Sequence, residues 1–242
     1  MKKAEENAYN SDFSGFFNDL NEAQKEAVLS CGQPQLVLSG AGSGKTRVLT
    51  YKIIFLLKTQ NINPENILAL TFTNKAANEM KERITNLIGQ RYTKKLTMGT
   101  FHSIFCKILR KNIIYLEGKK YKSYFKIIVE HEVRDIIKKI IEDDFNKEVE
   151  DFLHKKGIKD CLNSEHMRKI IVKEFIKKIK LLKNRGITWY KYYDLQDEID
   201  KDNSNNYSFF KAVYKKYVET CQEKNVMDFE DLLLNTFLLF SD

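Results

Sequence analysis

Along the first hundred residues, short apolar runs alternate with longer stretches of helical spacing. Gln35-Leu36-Val37-Leu38 reads as a strand, a glycine-rich turn follows, and Arg47 to Gln60 has helical periodicity. Ile67-Leu68-Ala69-Leu70-Thr71-Phe72 then reads as a second strand. A strand, a crossover helix and a second strand about 30 residues on is the βαβ unit of a parallel sheet. After Phe72 the apolar spacing becomes helical, with Ala76, Ala77, Met80, Ile84 and Leu87 on one face and Asn74 predicted as the N-cap. A third extended run, Leu96 to Phe101, leads into Ile104, Phe105, Ile108 and Leu109, which makes three strand-then-helix units.

From about Lys111 the spacing is almost purely helical. Val133, Ile136, Ile137, Ile140 and Ile141 form one stripe. Ile171, Val172, Phe175, Ile176, Ile179 and Leu182 form another, with Lys and Arg on the opposite faces. The polar stretch Asp197 to Ser208 is predicted to be a loop. Two helices follow, one carrying Phe210, Val213, Tyr214, Tyr217 and Cys221, the other Phe229, Leu232, Leu233 and Phe237. Seven of the ten glycines and both prolines fall within the first 99 residues, so the two parts differ in architecture.

Composition narrows the class. The chain has 242 residues, 43% of them hydrophobic and 31% charged, which excludes a disulfide-stapled miniprotein and a disordered tail. Its longest purely apolar run, Ile53 to Leu57, is far shorter than the roughly 20 residues of a membrane-spanning helix. The polar start, Met1 to Asn10, lacks the apolar stretch of a secretory signal, so a cytoplasmic location is expected. Cys31, Cys106, Cys161 and Cys221 are too far apart for a zinc or redox pair and are expected to be reduced thiols. The net charge of +8 favours polyanionic partners.

Chemistry concentrates at Ser39-Gly40-Ala41-Gly42-Ser43-Gly44-Lys45-Thr46, between the first strand and the first long helix. It looks like a Walker A phosphate loop. Glycines let backbone N–H groups turn inward, and the following helix offers its N-terminus to phosphate. Lys45 is placed to reach the β and γ phosphates, and Thr46 to ligate Mg²⁺. The strict motif begins with glycine where this chain has Ser39.

Three further strings surround the loop. In Leu20 to Val28, Gln24 carries an amide able both to donate to and accept from adenine, although a capped surface helix accounts for the same string. Leu70 to Ala77 puts an aromatic, an amide and a lysine at a strand's carboxyl edge, suited to stacking a base and holding a phosphate; a core Phe and a helix cap are the plainer reading. Met98-Gly99-Thr100-Phe101-His102-Ser103 offers hydroxyls and an imidazole to a nucleic-acid backbone, where a lone histidine is usually structural.

Together, in order and spacing, these strings resemble the UvrD/Rep/PcrA type of superfamily 1 DNA helicase. The glutamine string is similar to that family's Q motif, the glycine-rich loop to motif I, Thr71 to Ala77 to motif Ia, and Gly99 to Ser103 to the neighbouring single-strand-binding motif. The similarity extends to Val226 through Leu233. It implies an α/β fold: a P-loop NTPase (RecA-like) parallel sheet flanked by helices, with an inserted all-helical subdomain. The implied divisions are 1–110 as the first part of subdomain 1A, 111–225 as the helical insertion 1B, and 226–242 as the return into 1A ahead of Walker B. Asp228-Phe229-Glu230-Asp231 is not read as Walker B, because only Val226 and Met227 precede it; Asp228 is expected to cap a helix, with Asp231 in its first turn.

The resemblance also implies function. It implies the N-terminal part of an ATP-dependent 3′–5′ DNA helicase, with ATP and Mg²⁺ as cofactors. Single-stranded and junction DNA would be its partners, beside repair or replication proteins and no membrane. ATP would be held by Gln24, by Ser39, Gly40, Ala41, Gly42, Ser43 and Gly44 of the loop, and by Lys45, Thr46 and Arg47. Lys45 and Thr46 would be catalytic and Thr46 the metal ligand, while Phe72, Thr73, Asn74, Lys75, Thr100 and His102 would line the DNA track. Hydrolysis and unwinding would need the Walker B acids and the second motor domain, so these residues alone are expected to be inactive. Two rivals are a different P-loop kinase or ATPase, for which no suitable carboxylate string is present, and a non-catalytic DNA-binding module.

Overall fold

The structure, a computed structural model, describes residues 14–116, 120–155, 161–194 and 204–241. The chain divides into two compact units, Met1–Ile104 and Phe105–Asp242.

The first unit opens with helix α1, Glu22–Leu29, which begins in a capping box. The Asn21 side chain accepts from the Gln24 amide N–H at 2.9 Å, and Gln24 Oε1 accepts from the Asn21 N–H at 3.1 Å. Two otherwise orphaned donors are satisfied reciprocally. Helix α2, Lys45–Lys58, is apolar on more than one side and is buried accordingly. Its Val48, Tyr51 and Phe55 pack with Phe17, Leu20 and Val28 under α1. Its Ile53 and Leu57 pack with Ile67, Ala69, Met80, Ile84 and Leu96. Ile54 and Ile84 are fully buried, and each contributes about 1.5–3 kcal/mol of transfer free energy.

Strands β1, Leu68–Thr71, and β2, Thr97–Thr100, pair in parallel, with Leu68 opposite Thr97 and Thr71 opposite Thr100. The crossover is helix α3, Asn74–Ile88, followed by the short helix α4, Gln90–Thr93. Its N-cap is Thr73, not Asn74: Thr73 is extended and its side chain accepts from the Ala76 N–H at 3.2 Å. Both residue types cap well, and Thr73 takes the role because it is still extended, at φ −125° and ψ 146°, while Asn74 is already the first helical residue. Helix α5, Phe101–Asn112, follows β2 directly.

The expected strand Gln35–Leu38 does not form. Among the described residues it pairs with no other strand, and Leu36 and Leu38 are 82% and 83% exposed. An apolar run signals burial, but a strand also needs a ladder partner, and neither β1 nor β2 supplies one.

In the second unit, α6 (Glu130–Asp144), α8 (Cys161–Asn184) and α10 (Ser204–Glu223) carry the main core, with α7 (Asn146–Lys155) and α9 (Lys191–Asp194) beside them in sequence. Both predicted isoleucine-rich stripes meet here: Ile137, Ile140 and Ile141 join Ile171, Val172, Ile176 and Ile179 around Phe210, Tyr214 and Tyr217. Of the expected loop 197–208, residues 197–203 lie outside the described residues, and Ser204 already begins α10.

This unit is not purely helical. Strand β3, Lys126–Ile127, pairs in parallel with β4, Val226–Met227. The Lys126 N–H donates to the Asn225 carbonyl at 3.1 Å and the Ile128 N–H to the Met227 carbonyl at 2.9 Å. Two-residue strands are too short to show an alternating signature, which is why the sequence reads through them.

The last helix, α11, runs over Phe229–Ser241. As expected, Asp228 caps it: its Oδ1 accepts from the Asp231 N–H at 2.7 Å, and Asp231 Oδ2 accepts in return from the Asp228 N–H at 3.3 Å. Both carboxylates are buried and share Lys183 from the end of α8, at 2.6 Å and 2.8 Å. Tyr217 donates to Asp228 at 2.7 Å. Burial opposes the Lys183 ammonium, but Asp228 and Asp231 outweigh it and hold its pKa above the usual lysine value. Burial likewise opposes ionised Asp228, and Lys183 outweighs it and holds that carboxyl below its usual range. Cys31, Cys106 and Cys221 are free thiols. Burial, reinforced by Asp231, pushes Cys221 up to about 12. The side chain of Cys161 lies outside the described residues.

Candidate functional site

The glycine-rich loop lies on the surface ahead of α2. Gly42 and Gly44 have φ of 76° and 89°, the left-handed region in which a side chain is strained. Gly44 is also the N-cap of α2, and a Cβ there would stand 3.0 Å from Gln24 Nε2. Ser39 needs no such freedom, since its φ is not positive, so serine takes this place without strain.

Lys45 folds back along the loop. Its Nζ donates to the Gly40 carbonyl at 2.6 Å and to the Ser39 carbonyl at 3.1 Å. Ser43 Oγ donates to the Gly40 carbonyl at 2.8 Å, which tightens the turn. The first helical bond of α2 runs from the Val48 N–H to the Gly44 carbonyl at 3.0 Å, so the amides of Lys45, Thr46 and Arg47 precede the helical ladder. An ammonium, amides at a helix N-terminus and the Thr46 hydroxyl form a donor set matched to phosphate oxygens.

Gln24 is placed against this loop, its Nε2 donating to the Ser43 carbonyl at 2.9 Å while its Oε1 serves the capping box. The residue is both a helix cap and a tether for the loop. Sequence spacing did not show that contact; an amide three residues after an Asn cap was its only signal. Arg47 donates to the Asp19 carbonyl at 3.4 Å. Ala41, Ser43 and Lys45 are exposed, and Thr46 is half-buried.

The second cluster stands at the carboxyl ends of the paired strands. Because Thr71 faces Thr100 across the parallel ladder, Phe72 and Phe101 leave the sheet side by side. Their ring centroids are 5.4 Å apart at 45°, and Phe72 is 90% exposed. Thr73 caps α3, while Asn74 and Lys75 are exposed in its first turn. Thr100 Oγ1 accepts from the Ser103 N–H at 3.3 Å, and Ser103 Oγ donates to the Thr100 carbonyl at 2.9 Å, so Thr100 starts α5. His102 is half-buried in the first turn of that helix. Phe72, Thr73, Asn74, Lys75, Thr100 and His102 therefore share one sheet edge. Phe101 belongs with them and was missed as a site residue; the equal offset of the two phenylalanines from the strand ends is its signal.

Gly99 fixes this edge. A Cβ there would lie 2.8 Å from Ser103 Oγ and 3.1 Å from Ile104 Cδ1, so a larger residue would make both side chains shift at the start of α5.

Among the described residues, no group of three or more His, Cys, Asp or Glu could hold a metal ion. The loop carries no carboxylate, so hydroxyl oxygens such as that of Thr46 are what its side chains could offer Mg²⁺ beside phosphate. No helix among the described residues is long and apolar enough to cross a membrane.

These features define a helix-rich α/β protein with small parallel sheets, of the kind expected for the N-terminal domain of a helicase. The chain belongs to the UvrD/REP helicase N-terminal domain family, which it matches over residues 20–242. It is 35% identical over 224 residues to the ATP-dependent DNA helicase PcrA of Staphylococcus epidermidis, an alignment covering 92% of this chain and 26% of that protein. It is also 35% identical over 229 residues to the ATP-dependent DNA helicase PcrA of Staphylococcus aureus, covering 94% of this chain and 27% of that one. The chain thus spans about a quarter of the length of the curated relatives it matches.

Proposed function

We propose that these residues are the ATP- and single-strand-binding N-terminal part of a DNA helicase that moves 3′ to 5′. The observation that carries the proposal is Lys45 lying across its own loop on the Ser39 and Gly40 carbonyls, with a helix N-terminus behind it. Phosphate would replace those carbonyls as the acceptor of the ammonium. Thr46 would hold the Mg²⁺ that bridges the phosphates, and Gln24 and Arg47 would steady the nucleotide. Phe72 would stack a base, with Thr73, Asn74, Lys75, Thr100 and His102 along the strand.

Within this reading 1–110 and 226–242 form subdomain 1A of a RecA-like motor, and 111–225 form an insertion that contacts duplex DNA. Repair or replication in the cytoplasm is the setting we assign. Turnover by these 242 residues alone is weak, because they span about a quarter of the PcrA helicases and stabilising the transition state takes further groups.

The test is binding of a fluorescent ATP analogue and of labelled single-stranded DNA to the chain and to Lys45→Ala and Phe72→Ala, at two salt concentrations. Lys45→Ala is expected to lose nucleotide and keep DNA, and Phe72→Ala the reverse. Absence of saturable binding of either ligand to the unaltered chain sinks the proposal.

A further inference from the structure

Lys58 closes α2, and Arg91 and Tyr92 lie in α4, just ahead of β2. They stand at the amino ends of the paired strands, the edge opposite Phe72 and Phe101. The 14 residues of α2 put Lys58 about 20 Å along the axis from Lys45, at ~1.5 Å per residue. Two cations converge here on one neutral oxygen: Lys58 Nζ donates to Tyr92 Oη at 2.9 Å, and Arg91 Nη2 donates to the same oxygen at 2.7 Å. Both also approach the ring, 4.2 Å and 4.7 Å from its centroid. The ring quadrupole attracts each cation but cancels neither charge. Among the described residues Lys58, Arg91 and Lys94 have no carboxylate partner, whereas Lys95 is held by Glu65 at 3.3 Å. A phenol has one proton, and an oxygen that accepts twice leaves its O–H to give; among the described residues nothing accepts it. The hydrogen bond from Lys58, joined by that from Arg91, holds this phenol below its usual pKa, which makes it a better donor. The negative end of α2 lies close by, but its closing carbonyls are taken: Phe55 accepts from the Thr59 and Gln60 N–H groups and Leu56 from that of Ile62.

We propose that Lys58, Arg91 and Tyr92 form an anion site that takes a phosphate dianion. Two positive charges match a dianion, which a single carboxylate is not. The ammonium keeps N–H groups beyond the one spent on Tyr92, the guanidinium keeps most of its fork, and the phenol adds its O–H. Together these donors surround one point on the surface, as the oxygens of a tetrahedral anion require. Like charges held on a shared oxygen repel each other, and an anion bound beside them relieves that repulsion. The phosphate can be the free ion or a monoester on a partner's side chain. The site shares no residue with the glycine-rich loop or with the Phe72 edge, so the inference does not rest on nucleotide or DNA binding there.

NMR of the whole chain, with tyrosine isotope-labelled at Cζ, reads the site directly, and Tyr92→Phe identifies its signal. Inorganic phosphate and phosphoserine are the probes, with chloride at matched ionic strength and an oligothymidine without terminal phosphates beside them. Phosphate is expected to shift the Tyr92 signal saturably, to do so equally in Lys45→Ala, and to bind about tenfold or more weakly in Arg91→Gln, the size of one lost charge-assisted contact. Lys58→Met, which keeps an apolar stem against the ring, is expected to weaken it similarly. Arg91 is exposed, so Arg91→Gln should leave the circular dichroism unchanged. Tighter binding of phosphoserine than of phosphate assigns the anion to a partner's side chain; equal or weaker binding assigns it to the free ion. A Tyr92 signal that phosphate does not shift saturably, or that chloride shifts as well, overturns the proposal. So does a shift lost in Lys45→Ala, which would be relayed from the loop, or one produced by oligothymidine and not by phosphate, which would be contact with a nucleic-acid backbone.

Discussion

Phe72 and Phe101, one residue beyond paired Thr71 and Thr100, hold their rings 5.4 Å apart at the edge of the parallel sheet. One ring is open to solvent and the other is half-buried, so Phe101 braces Phe72 rather than duplicating it. We expect Phe72→Ala to weaken single-stranded DNA binding by about 1–3 kcal/mol, the range for a base stacked on an aromatic ring. Phe101→Leu should give a smaller loss, and Phe72→Trp should retain binding. Fluorescence anisotropy with an oligothymidine checks the order. Equal affinities for all three variants would place the strand elsewhere.

Gly44 is constrained twice, by a φ of 89° and by Gln24 Nε2, 3.0 Å from where a Cβ would stand. Gly44→Ala should therefore push the Gln24 amide off the Ser43 carbonyl and cost nucleotide affinity about tenfold or more, since either strain or a lost contact is worth 1–3 kcal/mol. Gln24→Ala, which frees the loop without straining it, should cost less. Titration with a fluorescent nucleotide separates the two. A Gln24→Ala variant as impaired as Gly44→Ala would mean that the amide also touches the nucleotide directly.

Gly99 makes the same kind of argument for stability. A methyl at Gly99 meets Ser103 Oγ and Ile104 Cδ1, and Ile104 is buried. Gly99→Ala should destabilise the first unit by about 1–3 kcal/mol, the usual cost of overpacking, and should lower DNA affinity by shifting Phe101. Pairing it with Ser103→Gly should recover part of the stability. No recovery in chemical denaturation would point to Ile104 as the obstacle.

Local chemistry was readable from the sequence where one short stretch settles it. The helix beginning at Lys45 needs left-handed glycines, the two isoleucine-rich stripes need a shared core, and Asp228 needs an N-cap position. What depends on a distant partner was not. The apolar run at Leu36 and Leu38 implies a strand, yet a ladder is a property of two segments. The pairing of Ile127 with Met227 is invisible for the same reason, the partners being 100 positions apart. Lys183 was one lysine among many on a helix, and only the fold shows that it faces Asp228 and Asp231.

That buried cluster gives the last expectation. Lys183, Asp228 and Asp231 carry one positive and two negative charges with almost no exposure. Lys183→Met removes the ammonium that both buried carboxylates share and should cost about 3–5 kcal/mol. Lys183→Met with Asp228→Asn should cost less than the sum of the single changes, because the second removes a charge stranded by the first. Asp228 is held below its ordinary value of 3.8, so its contribution is full above that value and is lost as pH falls through the lower folded value. Lys183 is held above 10.5, so its contribution is full below that value and is lost only as pH rises through the higher folded value. The network therefore supports the second unit across the neutral range and fails in acid. Urea unfolding followed by near-ultraviolet circular dichroism, at neutral pH and below about pH 4, should show the unaltered chain losing more stability than the double variant. Equal losses would assign the acid sensitivity to other carboxylates and remove the cluster from that role.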